Sequence, residues 1–425
     1  MMMKTFNFKI AANTISVILL FMALSLHAQE IDILIKNGHV VDARNKIDAV
    51  MDVSIADGKV VAVAPSISDK NAKQVIDATG LYVVPGLIDP HTHVFVGPRP
   101  GRFADGFNSL SPDDFSFKSG VTTVVDAGTS GWQNFPQFKL QVIDQSKTRV
   151  LAFLNIAAEG INGTEIELTK IEAEKHDLNE MDVAKTAAMI LEYPDIIVGV
   201  KIGHFKGESW FPFERAVAAA AKTGRPLFVE CHLPEYSLED QLKHMRPGDM
   251  ITHSFENISE RAPVVNSEGK VSPYVLAAKE RGILFDVGHG GAGFWFDQAI
   301  PAFEQGLWPN SFGTDLHRFS MNAGMKDMLN VMSKYLNIGM PLNEVLLRGS
   351  WYPAKAIKRE DLGNLSPGSV ADVAILSLRK GAFGFIDARN NSIKGDKKLE
   401  AEMTIRAGKI VWDLNGLAAK PFDRK

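Results

Sequence analysis

The sequence of 425 residues has one cysteine, no large excess of charge of either sign and one long apolar run. The single cysteine, Cys231, excludes an intramolecular disulfide framework and a cysteine-based zinc or iron–sulfur cage. With 46 Lys and Arg against 50 Asp and Glu, no basic stripe indicates nucleic acid binding and no acidic tail is present. The composition, 45% hydrophobic and 23% charged, is that of a globular protein and excludes a disordered, collagen-like or polytopic membrane chain.

The one long apolar run lies at the amino end. Two lysines precede an apolar run from Ile15 to Leu26, and a small-residue cleavage pattern ends at Ala28. A membrane anchor is the alternative, but a run of 12 residues is shorter than the roughly 20 that a spanning helix needs. We therefore expect residues 1–28 to be a cleaved signal peptide of an exported, periplasmic or secreted protein that has no membrane association after cleavage.

Short β-type runs occupy both ends of the remaining chain. Residues 29–84 contain alternating apolar runs broken by Asn-Gly and Asp-Gly hairpin signals, and residues 365–425 repeat this pattern. Since these two β-rich ends flank a middle of different character, the sequence predicts one small β-sandwich built from both termini.

The middle of the chain, residues 85–364, alternates β-branched apolar runs with segments of helical period, such as 181–193, 211–222 and 325–336. This alternation is typical of βα units around a parallel sheet. Eight strands fit an α/β fold of the (β/α)8 TIM-barrel type, which takes about 250 residues. An open doubly wound sheet is the competing architecture, but no glycine-rich dinucleotide fingerprint follows the first strand. The predicted strands are 81–89, 121–127, 149–157, 196–202, 226–232, 250–255, 283–288 and 311–316.

Six of the 11 histidines lie at or just after the carboxyl ends of predicted strands. In a barrel those ends converge on one face, so the six side chains would meet in one pocket. Asp89, His91 and His93 are spaced two apart, so their side chains share a face if the strand is extended. Two imidazoles placed in this way suit a transition-metal ion of the zinc type, although a pair of surface histidines on a loop is the alternative. The six are His91, His93, His232, His253, His289 and His317.

Lys201 lies late in the fourth predicted strand, between apolar neighbours. Burial disfavours the charged form of a lysine and leaves a nucleophilic amine. Such an amine could add carbon dioxide to give a carbamate whose two oxygens bridge metals, could pair with a carboxylate, or could form a Schiff base with a substrate. The carbamate is the favoured interpretation, because buried charges are normally paired or bound to metals.

Two of these six histidines belong to the fifth and sixth predicted strands. His232 ends the fifth strand and His253 ends the sixth. Period-two alternation turns Cys231 away from the side of His232, so we expect Cys231 to be a small buried residue and not a nucleophile.

Asp315 closes the eighth predicted strand. A carboxylate beside metal ions can be a ligand and can accept a proton from water, although a helix cap is the alternative role. His289, in a glycine-rich loop, and His317 are predicted to contact the substrate; for the loop of His289 a tight turn is the alternative. Arg99 and Arg102 could clamp a substrate carboxylate or lie in a solvated loop.

The order of these residues resembles the amidohydrolase superfamily of metal-dependent hydrolases. The resemblance covers nearly the whole mature chain and rests most on VVPGLIDPHTH (83–93) and LGNLSPGSVADVAIL (362–376). The stretches GVTTVVDAGTSG (120–131), RPGDMITHSF (246–255) and FDVGHG (285–290) are similar to the deacetylase-type branch near the dihydroorotases.

The resemblance implies two divalent metal ions, with zinc expected, and a carbamate (N6-carboxylysine) on Lys201. All six ligand positions are filled, which indicates an active enzyme. In the pattern that the resemblance implies, the more buried metal is bound by His91, His93 and Asp315, the more exposed one by His232 and His253, and carbamylated Lys201 and a hydroxide bridge them.

We therefore expect a metal-dependent amidohydrolase or deacetylase that hydrolyses an amide or ester bond of an N-acetyl or O-acetyl small molecule, with Asp315 as general base and acid. A cyclic amidase of the dihydroorotase or hydantoinase type is the alternative. A binding protein that has kept the site as a scaffold and a Schiff-base aldolase are more distant alternatives. The expected partner is the small-molecule substrate. The sequence is compatible with a homo-oligomer and does not determine the oligomeric state.

Overall fold

The structure is a computed structural model that describes residues 30–96, 109–161, 178–203, 209–230, 236–257 and 262–422. Outside the described residues lie the predicted signal peptide, Arg99, Arg102, Cys231 and His232. Within the described ranges, no helix has the length and apolar character needed to cross a membrane.

Fifteen strands are found among the described residues and are numbered in chain order: β1 (Ile31–Asp42), β2 (Ile47–Ala56), β3 (Lys59–Ala64), β4 (Ala72–Asp77), β5 (Tyr82–Pro85), β6 (Leu87–Thr92), β7 (Val121–Gly131), β8 (Arg149–Asn155), β9 (Ile197–Gly203), β10 (Leu227–Glu230), β11 (Met250–Ile251), β12 (Leu284–Phe285), β13 (Val373–Ile386), β14 (Ser392–Arg406) and β15 (Lys409–Asp413). They form two sheets, one of eight strands and one of seven. The fold is mixed α/β.

The eight-stranded sheet, here called the terminal sheet, contains β1–β5 and β13–β15. Its order is β15-β14-β13-β5-β1-β2-β3, and β4 pairs with β1. The junction is β5, which runs parallel to β1 and antiparallel to β13. Its buried side chains, among them Ile35, Val53 and Ile375, form a core of their own. Both ends of the chain therefore contribute to one sheet.

The predicted strand 81–89 is two strands in two sheets. Its first part, β5, belongs to the terminal sheet, whereas its second part, β6, belongs to the seven-stranded sheet. Gly86 separates them, and a Cβ atom there would lie 2.2 Å from Thr122 Oγ1, so the chain can cross only with a glycine. The prediction of a single strand was wrong because a continuous apolar run does not record a change of sheet.

The seven-stranded sheet contains β6 to β12 in chain order, and all of its pairs are parallel. β7 and β9 are buried along their whole length, as expected for parallel strands that are covered on both faces. The carboxyl ends of all seven strands therefore lie at the same edge of the sheet.

The segment 311–316 contacts both edge regions of this sheet, although it is not a regular strand. Ser311 forms a parallel bridge with Asp286, which directly follows β12, and Leu316 forms one with Thr92 of β6. The backbone N–H of His93 donates to the carbonyl oxygen of Leu316 at 2.9 Å. The parallel sheet therefore curls until its first and last strands flank one segment.

Nine α-helices lie within the described residues: α1 (Phe135–Phe138), α2 (Val183–Glu192), α3 (Phe211–Thr223), α4 (Leu238–His244), α5 (Pro273–Glu280), α6 (Phe296–Glu304), α7 (Met328–Asn337), α8 (Leu342–Gly349) and α9 (Trp351–Ala356). A π-helix lies at Lys139–Ile143. Three 3-10 helices lie at Pro112–Asp114, Phe117–Ser119 and Leu178–Glu180. The helices predicted at 181–193, 211–222 and 325–336 are α2, α3 and α7.

Local sequence signals fix the ends of these helices. The Asp182 side chain accepts hydrogen bonds from two backbone N–H groups at the start of α2. Gly224, with φ of 64°, ends α3 in the left-handed conformation that glycine adopts most easily. Helix α7 is fixed to the terminal sheet, since the backbone N–H of Leu399 donates to Ser333 Oγ and Asn337 Nδ2 donates to the carbonyl of Lys397.

Candidate metal centre

Five of the six predicted metal ligands meet at the carboxyl ends of the parallel strands. They are His91 and His93 at the end of β6, Lys201 in β9, His253 after β11 and Asp315 in the segment 311–316. All five side chains are buried. One ligand atom each of His91, His253 and Asp315 lies within 4.8 Å of the others. The sixth residue, His232, lies outside the described residues, so its predicted role stays a prediction.

The ring of His91 is oriented by a threonine and an aspartate. Thr252 Oγ1 lies 2.9 Å from His91 Nδ1 and donates its own proton to Asp286 Oδ2 at 2.8 Å. Because the threonine proton is used on the carboxylate, its oxygen accepts from His91, and Nδ1 carries the ring proton. His91 Nε2 is buried and has no hydrogen-bond partner among the described residues. Its lone pair is therefore available to a metal ion.

The ring of His93 is supported by a second threonine and aspartate. Its Nδ1 lies 3.0 Å from Thr129 Oγ1, and the backbone N–H of Thr129 donates to Asp126 Oδ1 at 2.8 Å. The opposite nitrogen, Nε2, lies 3.1 Å from Asp315 Oδ1. Support of the ring from behind is common for histidines that bind metals, because it fixes both the tautomer and the ring orientation.

His253 donates from Nδ1 to the carbonyl oxygen of Gly288 at 2.6 Å. Its Nε2 faces two carboxylates, Glu230 Oε1 at 3.0 Å and Asp315 Oδ2 at 4.0 Å. Both His253 and Asp315 have φ of 51°. This left-handed conformation is uncommon outside glycine and is typical of strained residues at functional sites.

Lys201 occupies a close-fitting niche in the floor of the site. Its amine donates to Glu230 Oε2 and lies 4.7 Å from the centre of the Phe228 ring. A Cβ atom on Gly128 would lie 2.4 Å from Lys201 Cγ, and one on Gly203 would lie 3.1 Å from Lys201 Cε. Glycines thus leave the space that the lysine side chain occupies, and the amine pairs with a carboxylate, which was the alternative to the favoured carbamate.

Burial controls the charge of this cluster. It lowers the pKa of His91 well below its usual value, and the neighbouring positive charge of Lys201 lowers it further. Burial also lowers the pKa of His317 and raises the pKa of the Asp315 carboxyl group. The pKa of Asp89, which accepts from Thr314, rises to about 7 for the same reason. His91 and His317 are therefore neutral, which is the form that binds metals.

These observations fit a divalent metal ion. The rings of His91, His93 and His253 each have Nδ1 directed at an oxygen of the protein, and their Nε2 atoms lie 3.4, 3.1 and 4.0 Å, respectively, from the Asp315 carboxylate. Glu230 also lies 3.0 Å from His253 Nε2. A lone pair facing a carboxylate is repulsive unless a proton or a cation lies between them. The donor set of imidazole and carboxylate suits zinc and similar transition metals.

The two histidines predicted to contact the substrate lie in different surroundings. His317 is at the rim, where its Nε2 is 3.7 Å from Asp315 Oδ2 and its side chain is 12% exposed. His289 is fully buried and both of its ring nitrogens contact protein atoms, Lys334 Nζ and the carbonyl oxygen of Gly290. The rim position suits contact with a substrate, and the buried one favours an internal role.

Sequence reasoning did not identify the residues that support the imidazoles, nor the buried Lys334. Thr129 follows Asp126 by three residues, and Thr252 directly precedes His253. Threonine is common in strands for reasons of packing, so these positions gave only a weak signal. A threonine or aspartate at the end of a predicted strand, beside a strand-end histidine, is the pattern that could have identified them.

The chain is similar to known proteins along most of its length. Residues 299–411 match the model of the Amidohydrolase family. A deacetylase of Brucella anthropi is 32% identical over 78% of this chain and 80% of its own length. A deacetylase of Enterococcus faecalis is 29% identical over 89% of this chain and 98% of its own.

Solved structures show the same similarity. A crystal structure of an adenine deaminase has a TM-score of 0.79 at 28% identity and covers 90% of this chain and 100% of its own. A dihydroorotase structure has a TM-score of 0.77 at 27% identity and covers 90% of this chain and 99% of its own. The chain therefore belongs to the amidohydrolase family, and it is a metal-dependent hydrolase of amide or ester bonds.

Proposed function

We propose that this protein is a deacetylase that removes the acetyl group of an N-acetylated or O-acetylated small molecule. The observation that carries this proposal is the set of three buried imidazoles whose Nε2 atoms lie within 4.0 Å of one buried carboxylate, Asp315. The relatives named as deacetylases support the acetyl group as the part released. A cyclic amidase is the alternative, and similarity to a dihydroorotase structure favours it.

We further propose that the site holds two divalent metal ions, zinc being the first expectation. When bound, such ions polarise the substrate carbonyl and lower the pKa of water. Support comes from the unpartnered Nε2 of His91 and from the niche that is shaped around Lys201. The proposed ligands are His91, His93 and Asp315 for the more buried ion, His232 and His253 for the more exposed ion, and carbamylated Lys201 between them.

Asp315 carries the proton transfer in this proposal. Its Oδ2 accepts a proton from the attacking water, while Oδ1 stays directed at His93. The water oxygen bonds to the acetyl carbon, the bond from that carbon to nitrogen or oxygen breaks, and the proton moves from Oδ2 to the leaving atom. The products are acetate and a free amine or alcohol. His317, beside Oδ2 at the rim, contacts the substrate.

The architecture proposed for the mature chain is a complete (β/α)8 barrel of residues 85–364, with 311–316 as its eighth strand, and a β-sandwich of residues 29–84 and 365–425. Bridges from 311–316 to both edges of the parallel sheet support the barrel. A Cβ on Gly408 would lie 2.7 Å from Gly58 Cα, so turns from opposite edges of the terminal sheet meet, which supports two layers.

Removal of residues 1–28 and export to the periplasm or medium complete the proposal.

The test of this function combines metal content with turnover. The purified mature protein is analysed for metals and, by mass spectrometry under mild conditions, for a carbon dioxide adduct on Lys201. It is then assayed against acetylated amino acids, acetylated hydroxy acids, dihydroorotate and hydantoins, with Asp315→Asn as the inactive control. Release of acetate by a protein with about two equivalents of metal supports the proposal. Turnover of the cyclic amides alone would replace it with the cyclic amidase, and a protein that binds no metal after reconstitution would contradict both.

A further inference from the structure

A second buried lysine, Lys334, lies behind the candidate site on α7. Its side chain is fully buried, and Nζ donates to His289 Nε2 at 2.6 Å and to the carbonyl oxygen of Gly324 at 2.7 Å. Nζ also lies 5.4 Å from the centre of the Phe294 ring. Within the described residues, no carboxylate lies within ion-pair distance of this amine. A buried lysine without such a partner is costly, so its position needs an explanation.

His289 connects this lysine to the site. Its Nδ1 lies 3.0 Å from the carbonyl oxygen of Gly290 and its ring stacks on Phe294, with centres 4.8 Å apart and an angle of 21°. Burial and the charge of Lys334 lower the pKa of His289 well below its usual value, so the ring is neutral. It therefore donates from Nδ1 and accepts from Lys334 at Nε2, and both nitrogens are used inside the protein.

The turn 288–290, which carries His289, touches two of the proposed metal ligands. The carbonyl oxygen of Gly288 accepts the proton of His253 Nδ1 at 2.6 Å. On the other side, a Cβ atom on Gly290 would lie 2.1 Å from Asp315 Oδ2, so the turn backbone closes directly against this carboxylate. Both glycines have positive φ, 50° and 47°. The placement of this turn thus sets the directions of His253 and Asp315.

We propose that Lys334 and His289 are positioning residues that hold the turn 288–290 against His253 and Asp315 and so raise the affinity of the site for its metal. This inference rests on the metal centre of the proposed function and extends it to residues that no metal would touch. Partners behind metal ligands typically contribute a factor of about 10 to 100 in metal affinity.

Four variants test the pair. Lys334→Met removes the donor, and His289→Phe keeps the ring that stacks on Phe294 but removes both nitrogens. The double variant measures whether the two residues act as one unit, and Lys355→Met, on the exposed face of α9, is the matched control. The dissociation constant for Zn²⁺ is measured by competition with a chromophoric chelator, and Co²⁺ absorption spectra report the geometry around the metal.

The expected result is a loss of Zn²⁺ affinity of about tenfold in each single variant, with altered Co²⁺ spectra, and no larger loss in the double variant. The control should equal the wild type. Circular dichroism at the assay temperature shows which variants are folded. If Lys334→Met does not fold, Lys334→Gln replaces it, because the amide still donates to His289 Nε2 and should recover most of the affinity.

Three outcomes would overturn the inference. Unchanged Zn²⁺ affinity and Co²⁺ spectra in folded variants would give Lys334 and His289 a purely structural role. Losses that add in the double variant would show two independent residues. A wild-type protein that binds neither Zn²⁺ nor Co²⁺ would overturn the proposed metal centre together with this inference, whereas metal binding that the variants leave unchanged would overturn this inference alone.

Discussion

The two halves of the candidate site are held together by different forces. In the imidazole half, formed by His91, His93 and His253, Nδ1 of each ring lies within hydrogen-bond distance of an uncharged oxygen, and Nε2 is directed inward. In the lysine half, formed by Lys201 and Glu230, an ammonium group contacts a carboxylate. The Nε2 atoms of the first half are thus presented by the chain itself, whereas the lysine of the second half is already paired with Glu230, whose other oxygen lies 3.0 Å from His253 Nε2.

This difference has a chemical consequence for the order of assembly. An ammonium group has no lone pair, so Lys201 must release its proton and its contact with Glu230 before the amine can add carbon dioxide. No comparable change is needed at His91, whose Nε2 has no partner among the described residues. We therefore expect the imidazole half to bind the first metal ion and the lysine half to be completed afterwards.

The largest effect is expected at Asp315, toward which the imidazole half is directed. Asp315→Asn keeps the size of the side chain but removes the proton acceptor, so kcat should fall about a thousandfold. Metal content and the circular dichroism spectrum of the variant are the controls for intact structure. If turnover stays within tenfold of the wild type, a residue other than Asp315 transfers the proton.

The lysine half is tested by Lys201→Ala. Because a bridging ligand matters at least as much as the residues behind it, metal occupancy and activity should fall together by about a hundredfold. A short carboxylic acid, added in millimolar amounts, fits the space left by the side chain and supplies two oxygens, so it should restore part of the activity. Lys334→Met provides the contrast, since no acid should rescue it. Full metal content in Lys201→Ala would remove the distinction between the two halves.

The imidazole half is tested by Thr252→Val and Thr129→Val, which keep the shape of the side chain but remove the hydroxyl that lies against Nδ1 of His91 or His93. Each should weaken Zn²⁺ binding about tenfold, measured by chelator competition. Thr122→Val is the matched control, because Thr122 is buried on the same strand as Thr129 and its Oγ1 has no partner among the described residues. Equal affinities in all three variants would mean that the rings need no support from behind.

The smallest effect concerns Lys334, the buried cation without a carboxylate contact among the described residues. Burial lowers its pKa from 10.5 to about 7. Between these values the unfolded chain holds a proton that the folded chain has lost, so the free energy of unfolding should rise with pH, at most about 1.4 kcal/mol per unit. Urea unfolding of the metal-free wild type and Lys334→Met at pH 7, 8 and 9 measures this. A stability difference that is constant with pH would contradict the lowered pKa.

Much of the fold followed from the sequence because its signals are local and periodic. The apolar β-type runs of the middle predicted the strands of the parallel sheet, and α3 was predicted at 211–222 where the structure has Phe211–Thr223. Helices α1, α4, α5, α6, α8 and α9 were not named, since short helices give few turns of periodic pattern. The split at Gly86 could not be foreseen, because it depends on a contact with Thr122, far along the chain.

The positions of the proposed ligands followed from their place at strand ends, but the residues that support them did not. His91 is oriented by Thr252, 161 residues away, and no local pattern records such a distance. The role of His289 was also outside the reach of sequence, because a glycine-rich loop indicates close approach of the backbone but not the direction of a ring. Its contact with Lys334 depends on α7, 45 residues further along the chain.

The pairing of β5 with β13 also governs how the protein is made. These strands are separated by about 290 residues, which a ribosome needs about 15 to 60 s to synthesise. During that time β5 has an unpaired edge, and such edges are prone to join other chains. The terminal sheet, and with it the anchorage of α7 that carries Lys334, is completed only when nearly the whole polypeptide has been made, so protection of the nascent chain by chaperones matters most at this edge.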